Sequence, residues 1–324
     1  MSKILAVFGS TGQQGSSIIK NVLCDPELSQ LYSIRAITRD PASQKAKQLQ
    51  EQVQVQVVQG DGNDRASLQE ALSGAHTIFA ITVPSVGPEA VEAEFNAAKN
   101  IADVAVSNGV EYFIWSTLPS VAEISKGKYA KVTPFDAKAK AEKYIRGLPI
   151  KSAFVSLGFF MENFQSQPFL TAQRDSDKSW VMSRPHAANT SYPLIAAVED
   201  IGKFVGAILA EPAKYEGQRL CAAEALYSVE DIAKQLSMSA GQKIVFKEVS
   251  AEEFGRKVAF IVDFFVGAYC FAAEYGYFGP DTEDQVAWAA KNARGKLLTL
   301  EEFLKANPLT LAEMNCLLPP MWLR

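Results

Sequence analysis

Hydrophobic and polar residues in the first half of the chain follow two alternating patterns. Short apolar runs typical of buried strands occur at 3–8, 32–38, 54–59, 76–82, 110–116 and 151–156. Amphipathic stretches with helical spacing lie between them, at 13–24, 42–51, 65–73, 88–107 and 134–146. Strands that alternate with helices form a parallel sheet covered on both faces. The pattern therefore predicts an α/β fold with a doubly wound sheet of six strands, whose carboxyl ends meet at one ligand-binding edge.

Beyond Ser156 the alternation weakens, and the chain is typical of a smaller α+β part. Three capping boxes predict helix starts there, at Ser228, Ser250 and Thr299. A strand is predicted over 243–249, and the run 258–273 is apolar on nearly all sides. Because this run has only 16 residues and contains Asp263, it is short and charged for a membrane span. It predicts a buried helix, with a lid or a partner interface as the alternative.

Composition and charge exclude several classes of function. The chain has 324 residues, 48% of them hydrophobic, which is ample for a continuous core. Its 32 basic and 36 acidic residues include no basic run that would neutralise a row of phosphates, so direct nucleic-acid binding is disfavoured. Because the first predicted strand starts at Lys3, we expect no signal peptide, no membrane association and a cytoplasmic location, with the nucleus as a second location.

The cysteines and histidines give little support for metal or hydrolase chemistry. The four cysteines are far apart, form no CxxC pair and are interpreted as reduced thiols, at Cys24, Cys221, Cys270 and Cys316. His76 precedes a strand and His186 follows a proline in a polar loop. Neither has a nucleophile or a ligand partner nearby in the sequence. The sequence therefore predicts no metal site and no Ser-His-Asp hydrolase.

The most specific chemistry follows the first strand directly, in the loop Gly9-Ser-Thr-Gly12-Gln-Gln-Gly15. Glycines let the backbone approach a pyrophosphate, and the next helix points its free amides and positive end at the anion. A buried strand, a glycine turn and a helix in this order favour a dinucleotide loop over a simple tight turn. We therefore predict a Rossmann-type NAD(P)-binding domain over 1–156 and a smaller α+β part over 157–324, packed on the cofactor edge.

The end of the second strand decides which cofactor is predicted. Arg39 lies where a guanidinium would pair with the 2′-phosphate of NADP. Asp40 is one residue further and should point the other way, which leaves an NAD preference as the alternative. Asp61, after the third strand, is placed to reach the adenine amino group or to serve only in a turn. The predicted cofactor is NADP(H).

These motifs resemble those of the NmrA-like family of atypical short-chain dehydrogenases/reductases. The likeness covers nearly the whole chain and rests on the glycine loop, Thr38-Arg39, Gly60-Asp61, Trp115-Ser-Thr117, Phe135-Asp-Ala-Lys138 and Phe159-Phe-Met-Glu-Asn163. The closest pattern is that of the family's NADPH sensors, which implies a redox-sensing regulator with a protein partner and little intrinsic turnover. The superfamily also contains NADPH-dependent reductases, which implies, as the alternative, a reductase of a small carbonyl, imine or enol-type metabolite.

Lys138 is the residue on which these two hypotheses turn. In short-chain reductases, a lysine on this helix bonds the nicotinamide ribose, and a tyrosine one turn earlier supplies the proton. Here the earlier position is Pro134, and Tyr129 lies upstream of the helix start. The resemblance implies that Lys138 contacts the cofactor and is the candidate catalytic residue, with an exposed helix lysine as the alternative. The missing tyrosine favours the sensor, although reductases related to isoflavone reductase work with a lysine and no such tyrosine.

The remaining predicted contacts lie at the carboxyl ends of the strands. Ser116 and Thr117 match the place of the superfamily's catalytic hydroxyl, or else satisfy a strand-end backbone group. The complete set of predicted cofactor contacts is Gly9, Thr11, Gly12, Gln13, Gln14, Gly15, Thr38, Arg39, Asp61, Thr82, Val83, Pro84, Ser116, Thr117, Lys138, Gly158, Phe159, Phe160 and Asn163.

Overall fold

The structure, a computed structural model, describes residues 2–85, 89–258 and 261–311. The elements of the first half are β1 (Lys3–Phe8), α1 (Gln13–Cys24), α2 (Leu28–Leu31), β2 (Tyr32–Thr38), α3 (Gln44–Gln50), β3 (Val55–Gln59), α4 (Arg65–Ala71), β4 (Thr77–Ala80), α5 (Ala90–Ser107), β5 (Tyr112–Thr117), α6 (Val121–Ile124), α7 (Thr133–Arg146) and β6 (Lys151–Leu157). The predicted strands and helices are confirmed to within a few residues. Residue 88, the predicted start of α5, lies outside the described residues.

The second half has shorter elements and two small sheets. Its elements are β7 (Phe159–Phe160), α8 (Asn163–Ser166), β8 (Gln173–Arg174), β9 (Trp180–Arg184), β10 (Ser191–Ile195), α9 (Ala197–Ala210), α10 (Pro212–Tyr215), β11 (Arg219–Ala222), β12 (Ala225–Ser228), α11 (Val229–Ala240), β13 (Ile244–Glu248), α12 (Ala251–Lys257), α13 (Val262–Tyr275), α14 (Thr282–Lys291) and α15 (Leu300–Ala306). The small sheets have the strand orders β12-β10-β7 and β13-β9-β8.

The central sheet of the described chain has seven strands in the order β11-β6-β5-β4-β1-β2-β3, and all neighbouring strands are parallel. The predicted α/β, doubly wound fold is confirmed, but the predicted count of six strands is wrong. The seventh strand, β11, lies beyond residue 156, where the alternation of strands and helices along the sequence is weak. The sheet therefore takes strands from both sides of residue 156, and the predicted division at that residue stays a prediction.

Helices cover both faces of the central sheet. On one face, α1 packs against α9 so closely that a Cβ on Gly202 would lie 2.3 Å from the carbonyl oxygen of Ser17. The Ser17 hydroxyl accepts a hydrogen bond from the backbone N–H of Gly202 at 2.9 Å. On the other face, Ala98 and Ile101 of α5 and Ile145 of α7 join a second apolar cluster. The sheet is thus buried on both sides, as parallel sheets are.

The three predicted helix starts in the second half are confirmed. The hydroxyls of Ser228, Ser250 and Thr299 each accept a hydrogen bond from the backbone N–H three residues later, and Thr299 forms a complete capping box with Glu302. The predicted strand over 243–249 is β13.

The predicted apolar helix is α13, which starts later than residue 258; residues 259 and 260 lie outside the described residues. Phe265 and Tyr269 pack in one apolar cluster and Phe271 packs in another, so α13 is buried on two sides. None of the described helices has both the length and the apolar character that crossing a bilayer requires.

Candidate functional site

A cavity of about 920 Å³ runs along the carboxyl edge of the central sheet. The chain builds β2 and β3 on one side of β1 and then returns to place β4 on the other side. The crevice outside the strand ends at such a switch point is where open α/β sheets bind ligands. Every predicted cofactor contact except Gly15 lines this cavity. The sequence therefore brings 18 of its 19 candidate residues to one place.

The glycine loop forms one end of the cavity. Gly9 has a φ of +63°, a left-handed conformation that glycine adopts without strain, and its carbonyl accepts a hydrogen bond from the Gly12 N–H at 2.9 Å. Gly15 lies behind the loop, where a Cβ would be only 2.4 Å from the Gly9 carbonyl oxygen. The absence of a side chain at Gly15 therefore lets the start of α1 pack against the turn. This packing role differs from the direct cofactor contact that the sequence predicted. The first-turn amides of α1 have no acceptor within the helix.

Two cations lie at the end of the cavity beside β2. Arg39 is exposed and lines the cavity, as does Lys45, which sequence analysis missed. Asp40 also lines the cavity, so the prediction that it points the other way is wrong, and its Oδ1 accepts a hydrogen bond from the Ala42 N–H at 2.9 Å. The sequence feature that could have indicated Lys45 is its position in the first turn of α3. Ser43 caps this helix by accepting a hydrogen bond from the Ala46 N–H. This end of the cavity suits a phosphate group.

Asp61 lines the cavity and also stabilises its own turn. Its Oδ1 accepts a hydrogen bond from the Asn63 N–H at 2.9 Å, and its backbone N–H donates to Ser67 Oγ at 3.1 Å. The turn role that the sequence left open is therefore present. The contact between Asp61 and adenine stays a prediction.

Lys138 is buried, with 6% of its surface exposed, so the alternative of an exposed helix lysine is wrong. Its ammonium forms an ion pair with Glu94 of α5 and donates to the Thr82 carbonyl oxygen at 3.1 Å. The Thr82 hydroxyl also donates to Glu94, at 2.7 Å. Sequence analysis missed Glu94. The pattern that could have indicated it is a carboxylate at a buried helical position, four residues after Ala90 and four before Ala98.

The two hydroxyls that end β5 have different partners. The Ser116 hydroxyl donates to Gln14 Oε1 at 2.8 Å and so joins β5 to the first turn of α1. The Thr117 hydroxyl donates to Glu142 Oε2 of α7 at 2.8 Å. Neighbouring residues of a strand face opposite ways, which explains the difference. The backbone-satisfying role suggested for these hydroxyls is thus a minor one, since the closest partner of each is a side chain.

No tyrosine replaces Pro134 on α7. Tyr129 lies before the helix and donates to Glu274 Oε1 at 2.5 Å. Burial and this carboxylate raise the pKa of Tyr129 to about 12. Tyr129 does not line the cavity, whereas Pro134 does. Helix α7, which carries Lys138, therefore has no tyrosine acid at the position where typical short-chain reductases have one.

Beyond Gly158 the cavity continues into an aromatic chamber, whose walls are Phe159, Tyr192, Phe264, Phe265, Tyr269 and Tyr277. Four of these side chains come from α13 and the turn that follows it. The ring centre of Phe135 on α7 lies 6.3 Å from that of Phe264 and 6.0 Å from that of Tyr277. The chamber wall is therefore continuous with α7. Sequence analysis missed the chamber, because it treated the apolar run of α13 as buried packing or a lid.

His186 is also placed differently from the prediction. It is buried, and its Nε2 lies 2.6 Å from the hydroxyl of Tyr192. Burial lowers the pKa of His186 to about 4, so the ring is neutral near neutral pH. Sequence analysis found no sign of this hydrogen-bond partner, although the ring does lie in a loop, between β9 and β10. Among the described residues, no group of three or more metal-ligating side chains is arranged to hold an ion.

The sequence matches the profile of the NmrA-like family over residues 1–304. The chain belongs to the NmrA-like family. Similar relatives include an NmrA-like family domain-containing protein of Dictyostelium discoideum, 26% identical over 94% of this chain and 98% of the relative. Another is the NmrA-like family domain-containing oxidoreductase lnbB of Aspergillus flavus, 29% identical over 94% of this chain and 97% of the relative.

Solved structures show the same fold for this NmrA-like chain. The negative transcriptional regulator NmrA in complex with NADP superposes with a TM-score of 0.76 at 21% identity, over 95% of each chain. The NADPH-dependent quinone oxidoreductase QOR2 of Escherichia coli, complexed with NADPH, gives 0.73 at 21% identity, over 93% of this chain and 99% of that one. The triphenylmethane reductase of Citrobacter sp., complexed with NADP(H), gives 0.72 at 20% identity, over 94% and 99%.

Proposed function

We propose that this NmrA-like protein binds NADP(H) and reduces a small, flat, apolar compound in the aromatic chamber. The observation that carries the proposal is the continuity of the cavity. Its glycine loop and cations suit a phosphorylated dinucleotide at one end, and its aromatic walls suit an apolar ring system at the other. A regulator that only bound the cofactor would have no need for the second compartment.

The residues at the first end fit the dinucleotide. The first-turn amides of α1 supply donors for a pyrophosphate, and the absence of a side chain at Gly15 keeps the loop against them. Arg39 and Lys45 supply positive charge for the 2′-phosphate that distinguishes NADP from NAD. Asp61 remains available for the adenine end.

The residues near the second end provide orientation and a dry site. When bound, NADPH supplies a hydride. Lys138, fixed by Glu94 and Thr82, is proposed to hold the cofactor ribose, and Ser116 is proposed to hold Gln14 in place. The aromatic walls exclude water from the reacting atoms, which strengthens every polar interaction there. Because Pro134 stands in place of a tyrosine, α7 supplies no tyrosine proton.

The comparisons support this choice of reaction. The Aspergillus flavus relative is named an oxidoreductase, and the two bacterial neighbours are named for the reduction of quinones and triphenylmethane compounds. Quinones and triphenylmethane dyes are therefore the first compounds to test.

We expect the purified protein to oxidise NADPH in the presence of a quinone or a triphenylmethane dye. An Ala268→Phe variant, which fills part of the chamber, should lower kcat/KM by about tenfold or more while leaving the Kd for NADPH unchanged. Absorbance of NADPH gives the rate, and calorimetry gives the Kd.

The matched control is Ala273→Phe, which places the same side chain on the exposed face of the same helix. Equal losses in the two variants would indicate a general effect on α13. If no compound of either class is reduced by a protein that binds NADPH, the reductase proposal fails.

Cofactor preference gives a separate test of the cleft. We expect Arg39→Ala to weaken NADPH binding about tenfold and to leave NADH binding nearly unchanged, because a charge-assisted phosphate contact has no counterpart in NADH. Calorimetry with each cofactor measures the difference. Lys47→Ala is the control, since Lys47 lies on the same helix as Lys45 but outside the cavity. A preference for NADPH that survives in Arg39→Ala would contradict the assignment.

Two observations favour a second function, the NADPH-sensing regulator with a protein partner. Pro134 replaces the usual acid, and the charge of Lys138 is neutralised by Glu94. In that case NADPH should increase hydrogen-exchange protection at the cavity edge while every candidate substrate stays unreduced. Exchange measured with and without NADPH, together with the rate assay above, separates the two functions.

A further inference from the structure

A second, very small cavity adjoins the aromatic chamber. It has a volume of about 10 Å³ and shares Phe159, Tyr192 and Tyr269 with the chamber. Arg184, at the end of β9, completes the polar part of its wall. We call this cavity, bounded by Arg184, Tyr192 and Tyr269, the Arg184 niche. Its volume is at the lower limit for a single water-sized group, so it has room for one oxygen atom.

Arg184 is a buried cation, with 4% of its surface exposed. Its guanidinium donates to the carbonyl oxygens of Ser183, at 2.8 Å, and Leu170, and lies 5.0 Å from the centre of the Tyr269 ring. Throughout the described part of the chain, no carboxylate pairs with it. Burying a charge without a counter-charge is costly, so an anion placed beside this guanidinium would be stabilised.

The hydroxyl of Tyr269, another residue of the niche wall, is an unsatisfied polar group. It is buried, and no described residue forms a hydrogen bond with it. A buried hydroxyl without a hydrogen bond destabilises the folded protein, so a partner for it would be stabilising. The neighbouring Tyr192 hydroxyl is already bonded to His186, whose Nδ1 lies 3.1 Å from the Ala187 carbonyl oxygen. Among residues 2–85, 89–258 and 261–311, Arg184 is the only charged side chain that lines the niche, and Tyr269 is the residue of its wall whose hydroxyl has no partner.

We propose that the Arg184 niche binds the substrate oxygen that gains negative charge during reduction. This inference rests on the proposed function. It selects substrates in which the carbon that accepts hydride is conjugated to a carbonyl group, as in quinones and conjugated enones. The new C–H bond takes its electron pair from NADPH, and the displaced π pair moves to the carbonyl oxygen. NADPH becomes NADP⁺, and the resulting enolate is stabilised by Arg184 and Tyr269 and takes a proton from water after release. The product of a quinone then tautomerises in water to the hydroquinone.

The test uses a ligand that reports its own charge, and it needs neither cofactor nor turnover. 7-Hydroxycoumarin is flat and aromatic, and its phenol and phenolate forms absorb at different wavelengths. We expect the bound compound to have a pKa at least about one unit below that of the free compound, a tenfold preference for the phenolate. Absorbance of the protein-bound fraction against pH measures it. 7-Methoxycoumarin, which cannot ionise, is the control for binding to the chamber alone.

Two variants assign the effect. Arg184→Met keeps much of the side-chain volume and removes the charge, so it should abolish the phenolate preference while 7-methoxycoumarin still binds. Tyr269→Phe keeps the ring under the guanidinium and removes only the unpartnered hydroxyl, so it should fold normally and reduce the preference by about threefold. Tyr269→Phe also keeps the test decisive if Arg184→Met does not fold.

The outcomes separate the inference from the proposed function. If bound 7-hydroxycoumarin titrates as it does in water, or if the preference is the same in both variants and the wild type, the niche does not bind an oxyanion. A wild-type protein that selects the phenolate but neither binds NADPH nor reduces quinones would contradict the proposed function alone. Reduction of quinones without any phenolate preference would contradict this inference alone.

Discussion

Replacement of Gly15 by alanine should abolish the binding of NADPH. The added Cβ would lie 2.4 Å from the Gly9 carbonyl oxygen and 2.7 Å from the Ser10 Cα, and backbone atoms cannot rotate away as a side-chain end can. The turn must therefore move off the start of α1, which separates the loop from the amides that would bind phosphate. We expect a loss of affinity of a hundredfold or more, about 3 kcal/mol, measured by calorimetry.

The matched control is Gly147→Ala, at the end of α7. The nearest atom to a Cβ there, the Tyr144 carbonyl oxygen, is at an ordinary distance of 3.4 Å, and the backbone φ of −88° suits alanine. This variant should bind NADPH like the wild type. Circular dichroism should show an intact fold in both variants. Retained binding in Gly15→Ala would mean that the loop is only a turn.

Replacement of Lys138 by methionine should destabilise the protein by about 3–5 kcal/mol, the usual cost of removing one partner of a buried ion pair. Glu94 is only 2% exposed, and without the ammonium its carboxylate would keep a single side-chain donor, the Thr82 hydroxyl. Urea unfolding measures the free energy. The Lys138→Met/Glu94→Met double variant should recover most of the loss, since apolar pairs replace buried ion pairs at little cost.

Lys140→Met is the control for the loss of a lysine on the same helix. Lys140 pairs with Glu92 at the surface, where an ion pair contributes about 0–1 kcal/mol. A loss in Lys138→Met no larger than in Lys140→Met would show that the ion pair with Glu94 forms only weakly in solution. The Lys138 ammonium would then lack the anchor that fixes its position in the cavity.

The glycine loop and the six strands of the first half were predictable because their signals are local. Within a few residues, β1 is followed by the turn at Gly9 and then by the start of α1. Each of the three has its own hydrophobic period or backbone conformation, which the sequence shows locally. The capping hydroxyls, such as Thr299, are equally local. Such features place the cofactor cleft without any knowledge of distant contacts.

The chamber and its polar groups were not predictable in this way. Glu94 and Lys138 form an ion pair although 44 positions separate them in the sequence. Arg184 of β9 lies over the ring of Tyr269, which belongs to α13. Apolar and aromatic residues look the same in a sequence whether they pack against each other or line a cavity. His186 illustrates the limit, because the residues around it gave no sign that its ring is buried against Tyr192.

The contact between α1 and α9 has a consequence for the growing chain on the ribosome. The helix that seats the glycine loop is synthesised early, but Gly202, which its Ser17 hydroxyl bonds, follows 185 residues later. The last strand of the central sheet ends later still, at Ala222. Before α9 is synthesised, the apolar residues Ile18 and Val22 have no α9 to cover them. A nascent chain of this length therefore exposes apolar surface that favours aggregation.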